Sequence, residues 1–180
     1  MKRPSLKQLI FLVLCCDLSL ISKRLISPAA NILTDLIHIP GGIGTSFSLL
    51  FLVLGAMLIP FFGCAALMGL MQGVISLALG MVGRMGALSM IGYILPGIVI
   101  DCVIFIAPKI HLSYKITAFT ANAMASVMAG LAANIIVLRL NGSALAIYLA
   151  IAFISGAICG CLSSTLYRYL QPVIEIKRTH

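Results

Sequence analysis

The chain has 180 residues, of which 62% are hydrophobic and only 9% are charged. Soluble domains carry about 25% charged residues, so this composition excludes an ordinary soluble domain and indicates an integral membrane protein. The net charge of +8 would suggest nucleic-acid binding in a soluble protein. Here the basic residues lie at the ends of apolar segments, where they set topology and meet anionic lipid headgroups.

Apolar stretches recur along the whole chain, and each needs about 20 residues to cross a hydrocarbon core roughly 30 Å thick. We predict an all-α protein with six transmembrane helices in one domain covering residues 1–180. The predicted spans are residues 6–26, 43–60, 61–82, 88–107, 116–138 and 144–167. The basic start of the first span resembles a signal peptide, but Asp17 follows its apolar run directly and no clean cleavage site ends it, so we interpret it as a helix.

Six spans place both termini on one side of the membrane. The basic residues on that side are Lys2, Arg3, Lys7, Lys109, Lys115, Arg168, Lys177 and Arg178, and those on the other side are Lys23, Arg24, Arg84 and Arg139. Because basic residues concentrate on the cytoplasmic side, the termini are predicted to be cytoplasmic.

Polar residues inside the spans mark candidate sites, because they are costly in hydrocarbon. For Gln72 and Asn122 we favour interhelical hydrogen bonds over ligand contact. Asp17 fits a structural or a functional role equally. Asp101 fits an ion pair with Lys109, or a hydrogen-bonded acid, at least as well as a proton relay. Small residues in Gly69-x-x-x-Gly73 and Gly156-x-x-x-Gly160 predict close helix packing within the chain.

No metal centre or catalytic motif is predicted. The six cysteines lie in apolar runs without a C-x-x-C pair and are interpreted as free buried thiols. His38 and His111 fall on opposite sides of the predicted membrane, which excludes a two-histidine site. Asp35 with His38 remains as a single-histidine alternative, although a solvated loop histidine is commoner. Motifs of metalloproteases, nucleophile elbows and P-loops are missing, so we do not expect an enzyme.

The segment Asn31 to Thr45 is too polar and too rich in Pro and Gly to lie in lipid. It is also longer than the about 2 to 8 residues that usually join antiparallel helices. We therefore predict that the outer loop 27–45 is a lid over a cavity, with a hinge at Gly41, Gly42 and Gly44.

The length, the six spans, the long first outer connection and the hairpin FLVLGAMLIPFFGCAALMGLMQGVISLALG resemble the S component of energy-coupling factor (ECF) transporters over nearly the whole chain. The resemblance implies a multi-pass protein in the plasma membrane of a prokaryote. Such a subunit captures a vitamin, a vitamin precursor or a similar micronutrient in an outward-facing pocket. It delivers the substrate inward with a T component and two ATPases, which use the ATP, so the chain itself needs no cofactor and no nucleic acid.

The resemblance also implies roles for particular residues. The substrate-binding candidates are Asp35, His38, Arg84, Tyr93, Asn134, Arg139 and Asn141. Alanines four residues apart on the first helix commonly dock the T component in this family, and this chain has Cys15 and Ser19 at that spacing. It has no Trp, so Tyr93 and Phe side chains would have to stack a flat ligand, and the substrate is not identified.

Two other functions stay open. One is a stand-alone transporter or channel that uses Asp17 and Asp101 as proton or cation sites. The other is a membrane scaffold without a ligand, in which the polar residues join helices. Clustering of polar residues at the outer side favours a lidded pocket, whereas a continuous polar path would favour a channel.

Overall fold

The structure, a computed structural model, describes residues 6–36, 43–59, 61–80, 86, 88–139 and 142–176. At residues 7, 27–36, 43, 137, 138 and 173–176 it describes the backbone only. The α-helices are α1 (Leu6–Leu36), α2 (Ile43–Leu58), α3 (Cys64–Ala78), α4 (Ser89–Ile106), α5 (Tyr114–Ala133) and α6 (Ser143–Ile176). A 3-10 turn, Ala107–Ile110, follows α4, and a π-helical turn, Asn134–Leu138, follows α5. The prediction of an all-α fold with six helices is confirmed.

Within the described residues, three stretches are long and apolar enough to cross a membrane: Ser89–Ile110, Tyr114–Ile136 and Ser143–Pro172. Two shorter apolar helices cover Gly44–Leu58 and Cys64–Ala78. The apolar part of α1 is interrupted by Asp17, Lys23 and Arg24. The chain therefore has the character of a membrane protein, while six complete spans and cytoplasmic termini stay predictions.

The predicted lid loop differs from the structure at both of its ends. Instead of ending near residue 26, α1 continues to Leu36, and only residues 37–42 separate it from α2. The added turns contain Ala29, Ala30 and Leu33, which are good helix formers. Gly44 is buried in the first turn of α2, so its backbone is part of a helix and not of a loop hinge. Gly41 and Gly42 lie outside the described residues.

The central helix is α2, which contacts all five of the others. Its Leu50, Leu52 and Val53 are almost completely buried. Since α2 has only 16 residues, its length is roughly 24 Å at 1.5 Å per residue. A helix enclosed on several faces needs no polar side, which explains why residues 49–58 of α2 are all hydrophobic apart from Gly55.

Consecutive helices are antiparallel within the pairs α1 and α2, α3 and α4, and α5 and α6. Between α1 and α2, Leu12 lies near Gly55 and Ser19 lies near Ser48. Between α3 and α4, Ala65 lies near Gly97 and Gly73 lies near Met90. Between α5 and α6, Ala118 lies near Gly160 and Gly130 lies near Tyr148. By contrast, α2 and α6 are parallel, since Ser46 meets Ser155 and Leu50 meets Ser163. The beginning of α1 and the end of α6 consequently lie at the same end of the bundle.

Glycines allow these helix pairs to approach closely. A Cβ atom on Gly97 would lie 2.5 Å from the Ala65 carbonyl oxygen, and one on Gly160 would lie 2.7 Å from that of Ala118. A Cβ on Gly69 would collide with the carbonyl oxygen of Tyr93. The prediction that the Gly-x-x-x-Gly spacings serve packing inside the chain is confirmed.

Candidate functional site

A polar cluster that contains a charged side chain joins α1, α3 and α4. The Lys23 ammonium donates to the Tyr93 hydroxyl at 3.1 Å and lies 4.3 Å from the centroid of the same ring. The Tyr93 hydroxyl is also 3.3 Å from Ser76 Oγ. Lys23 and Tyr93 are half-buried, and Ser76 is fully buried. One cation and two hydroxyl groups thus converge between three helices.

Helical spacing explains why Lys23 faces inward. Cys16, Ser19 and Leu20 are buried on α1, and Lys23 is seven, four and three residues further along. These separations put all four side chains on one stripe of the helix. Ser19 donates to the Ser48 carbonyl at 2.8 Å, which fixes this stripe toward α2.

The register between α3 and α4 brings two more polar side chains to the same level. Gly69 lies against Tyr93 and Gly73 lies against Met90, so Gln72 of α3 and Ser89 of α4 are within about one helical turn of the Tyr93–Ser76 contact. Gln72 is 1% exposed and Ser89 is 5% exposed. Among the described residues, neither Gln72 Nε2 nor Ser89 Oγ has a hydrogen-bond partner.

The charge of this cluster is positive. Among the described residues, the Lys23 ammonium contacts Tyr93 and no carboxylate. A half-buried cation feels less screening than a surface one, so it attracts an anion more strongly. The cluster therefore offers a cation, two hydroxyl groups and further donors at one place, a combination suited to binding a polar or anionic group.

Asp101, in contrast, has a structural role. Its Oδ1 accepts a hydrogen bond from the Ala65 N–H at 3.0 Å, and its Oδ2 accepts one from the Ala66 N–H at 2.8 Å. These two N–H groups belong to the first turn of α3, where backbone donors have no partner within their own helix. The carboxylate caps α3 from α4 and also complements the positive end of the helix dipole. Of the alternatives weighed for Asp101, the ion pair with Lys109 does not fit, since the Lys109 ammonium lies 4.5 Å from the centroid of the Phe105 ring and the carboxylate bonds to α3.

A second polar group joins the central helix to α5 and α6. Asn122 Nδ2 donates to the Gly156 carbonyl at 2.8 Å, and Ser46 Oγ is 2.8 Å from Ser155 Oγ. The predicted interhelical hydrogen bond of Asn122 is confirmed. Asn122 Oδ1 and Ser126 Oγ lack a hydrogen-bond partner in the described chain, but a Cβ on Gly156 would come within 2.6 Å of Ser126 Oγ. The helices are too close here for a ligand.

The structure describes the side chains of three of the seven predicted substrate-binding residues. Tyr93 belongs to the cluster with Lys23. Asn134 is buried, and its carbonyl accepts the Arg139 N–H at 2.8 Å. Arg139 is exposed and has a left-handed backbone with φ of 49°. Asp35 lies in the last turns of α1, where only the backbone is described, and the remaining three residues, His38, Arg84 and Asn141, lie outside the described residues.

The predicted T-component docking residues are buried. Cys15 is 5% exposed and Ser19 is 0% exposed, and Ser19 bonds to Ser48 of the central helix. A partner protein does not reach either side chain in this conformation. The exposed face of α1 instead carries large apolar residues, among them Leu14, Leu18 and Ile21.

Sequence reasoning missed Lys23, Ser76 and Ser89 as members of a polar cluster. Lys23 was assigned to topology because it is near the end of an apolar run. The available signal was its spacing of four from Ser19 and seven from Cys16, which predicts one common helix face. For Gln72, an interhelical hydrogen bond was predicted, but the described residues offer its Nε2 no partner.

Comparison with known proteins gives no relative of this chain. No protein-family model matches it, and neither a curated protein nor a solved structure shows significant similarity. In the described part of the chain, no three His, Cys, Asp or Glu side chains are grouped to hold a metal ion. We therefore infer the function of this chain from its fold and from the polar cluster.

Proposed function

We propose that this chain is the substrate-binding S component of an ECF-type importer, which captures a small micronutrient such as a vitamin or a vitamin precursor. In this function it catalyses no reaction and works in the plasma membrane of a prokaryote with a T component and two ATPases. The observation that carries the proposal is the cluster of Lys23, Ser76 and Tyr93 between α1, α3 and α4. Polar and charged groups among apolar helices are costly and commonly mark a substrate path.

The position of the cluster in the bundle supports this function. The contacts of Leu12 with Gly55 and of Ser19 with Ser48 set a register in which the first residue of α2 is level with Arg24. The rest of α1, to Leu36, continues for roughly 18 Å of helix past that level. The cluster is thus at the end of the bundle where α1 and α2 are connected. This is the end that the distribution of basic residues predicts to face outward.

The channel alternative loses one of its two acidic sites. Both oxygens of Asp101 accept hydrogen bonds from the backbone of α3, so this carboxylate is already engaged in holding a helix end. The scaffold alternative is favoured by the hydrogen bonds of Ser19, Ser46 and Asn122, which join helices. It does not account for Lys23, because a half-buried cation without an acidic partner among the described residues is a costly way to join helices.

Native mass spectrometry of the protein, purified gently from its own membrane, tests the proposal. We expect a retained molecule of vitamin size and co-purifying T-component and ATPase subunits. A folded preparation that carries neither would refute the proposal and favour the scaffold. Uptake of a solute by the chain alone in liposomes, without ATPases, would instead support the stand-alone transporter.

A further inference from the structure

We propose that the cluster around Lys23 binds an anionic oxygen group of the substrate, a carboxylate or a phosphate. The inference rests on the proposed function in taking that group to be part of an imported solute. The site itself is assigned from the described residues alone. It is formed by Lys23 on α1, Gln72 and Ser76 on α3, and Ser89 and Tyr93 on α4.

The Lys23 ammonium has donor capacity that the described residues do not use. An ammonium group has three donors, and Lys23 directs one to the Tyr93 hydroxyl. When Tyr93 accepts this bond, its own proton is available to Ser76 or to a ligand. Because no carboxylate of the described chain contacts Lys23, the charge of the cluster is not balanced from within. An anion would balance it and accept the remaining bonds.

Two buried polar side chains of the cluster lack hydrogen-bond partners among the described residues. Gln72 Nε2 and Ser89 Oγ are inaccessible to water and unpaired in the described structure. Leaving a buried polar group without a hydrogen bond is unfavourable. Both side chains are on the stripes that face the interface of α3 with α4 and lie at the level of Tyr93. An oxygen ligand seated beside Lys23 would give them acceptors.

The chemical groups of the cluster favour an anion over a cation as the ligand. The cluster contains hydroxyl groups, an amide and an ammonium, but no carboxylate. Hydroxyl and amide oxygens alone do not offset the repulsion of a second cation by Lys23. A charged hydrogen bond to a carboxylate or phosphate is shorter and stronger than a neutral one, so the cluster discriminates an acid from its neutral amide.

The experiment observes Tyr93 directly. The chain has five Tyr residues, so protein labelled with carbon-13 at the tyrosine Cζ gives a simple NMR spectrum, and the Tyr93→Phe variant identifies the Tyr93 signal. The purified protein in detergent is titrated with benzoate, with its neutral counterpart benzamide and with inorganic phosphate. We expect a saturable shift with at least one of the two anions, with a Kd on the order of millimolar since only the charged end of a substrate is represented, and no comparable shift with benzamide.

Variants separate the site from general charge effects. Lys23→Met keeps an unbranched side chain without the charge and should abolish the anion response. Lys109→Met is the matched control, because Lys109 also lies over an aromatic ring, that of Phe105, but is exposed. It should respond like the unaltered protein. A response to benzoate alone would identify a carboxylate group, and a response to phosphate alone would identify a phosphate group.

Three results would overturn the inference: no saturable response to either anion, an equal response to benzamide, or an undiminished response in Lys23→Met. The failure of the inference is distinguishable from failure of the proposed function. Anion binding without T-component and ATPase partners would leave the site standing and refute the importer. Partners with a neutral retained molecule, and no anion response, would leave the importer standing and refute the anionic substrate.

Discussion

Replacing Asp101 with Ala should destabilise the folded protein strongly, because this side chain terminates a helix other than its own. The first three donors of α3 are paired: Cys64 N–H donates to the Phe61 carbonyl at 3.1 Å, and the next two donate to the Asp101 carboxylate at 3.0 and 2.8 Å. Asp101 is 6% exposed. Water therefore has little access to the groups that the substitution would leave unpaired.

The magnitude follows from these two bonds. Each buried N–H without a partner costs about 1–3 kcal/mol, and loss of a helix cap in soluble proteins costs about 0.5–2 kcal/mol. We expect Asp101→Ala to lower the free energy of unfolding by about 2–4 kcal/mol, which is roughly a 30- to 1000-fold increase in the unfolding equilibrium constant. Asp101→Asn keeps one acceptor oxygen and should fall between Ala and the unaltered protein.

Denaturant unfolding in mild detergent, followed by circular dichroism, measures this difference. Asp17→Ala is the matched control, because Asp17 is half-buried on α1 but has no hydrogen bond to the described residues. It should cost much less. A loss below about 0.5 kcal/mol in Asp101→Ala, well under the range expected for two unpaired donors, would refute the capping argument and reopen Asp101 as a functional acid.

Three further predictions concern helix contacts and the predicted pocket rim. Gly69→Ala should destabilise the folded protein by about 1–3 kcal/mol, because the new Cβ would meet a backbone carbonyl. Gly92→Ala, where a Cβ would have nothing within 4 Å, should instead stabilise it by up to about 1 kcal/mol. Thermal unfolding compares the two variants, and equal effects would contradict close packing at Gly69. Asn122→Ala should lower the free energy of unfolding by about 0.6–2 kcal/mol. Asn122→Asp should lower it further, since a carboxylate oxygen would then face the Gly156 carbonyl. A milder effect of Asp than of Ala in denaturant unfolding would show that this hydrogen bond is wrongly assigned. Arg139→Gly should relieve about 1 kcal/mol of left-handed backbone strain and yet weaken ligand retention in native mass spectrometry, while unchanged retention would remove Arg139 from the predicted site.

The local properties of the chain were predictable from sequence. Apolar run lengths and composition predicted a helical membrane-type protein with six helices, because hydropathy is read over a single segment. The spacings Gly69-x-x-x-Gly73 and Gly156-x-x-x-Gly160 predicted close packing for the same reason. Helix ends were less predictable: Pro40 and the glycines after it suggested a loop over residues 27–45, but α1 continues to Leu36 because Ala29, Ala30 and Leu33 in the first part of that segment favour a helix.

The partners of the polar residues were decided by tertiary structure alone. Lys23 contacts Tyr93 across 70 positions, and Asp101 contacts Ala65 across 36. No periodicity in a single sequence encodes which two helices meet or at what register. The sequence by itself therefore determined that this protein is a bundle of apolar helices with a few polar residues. The packing of α1, α3 and α4 decided that Asp101 holds a helix end, while Lys23 lies half-buried near polar groups that have no hydrogen-bond partner among the described residues.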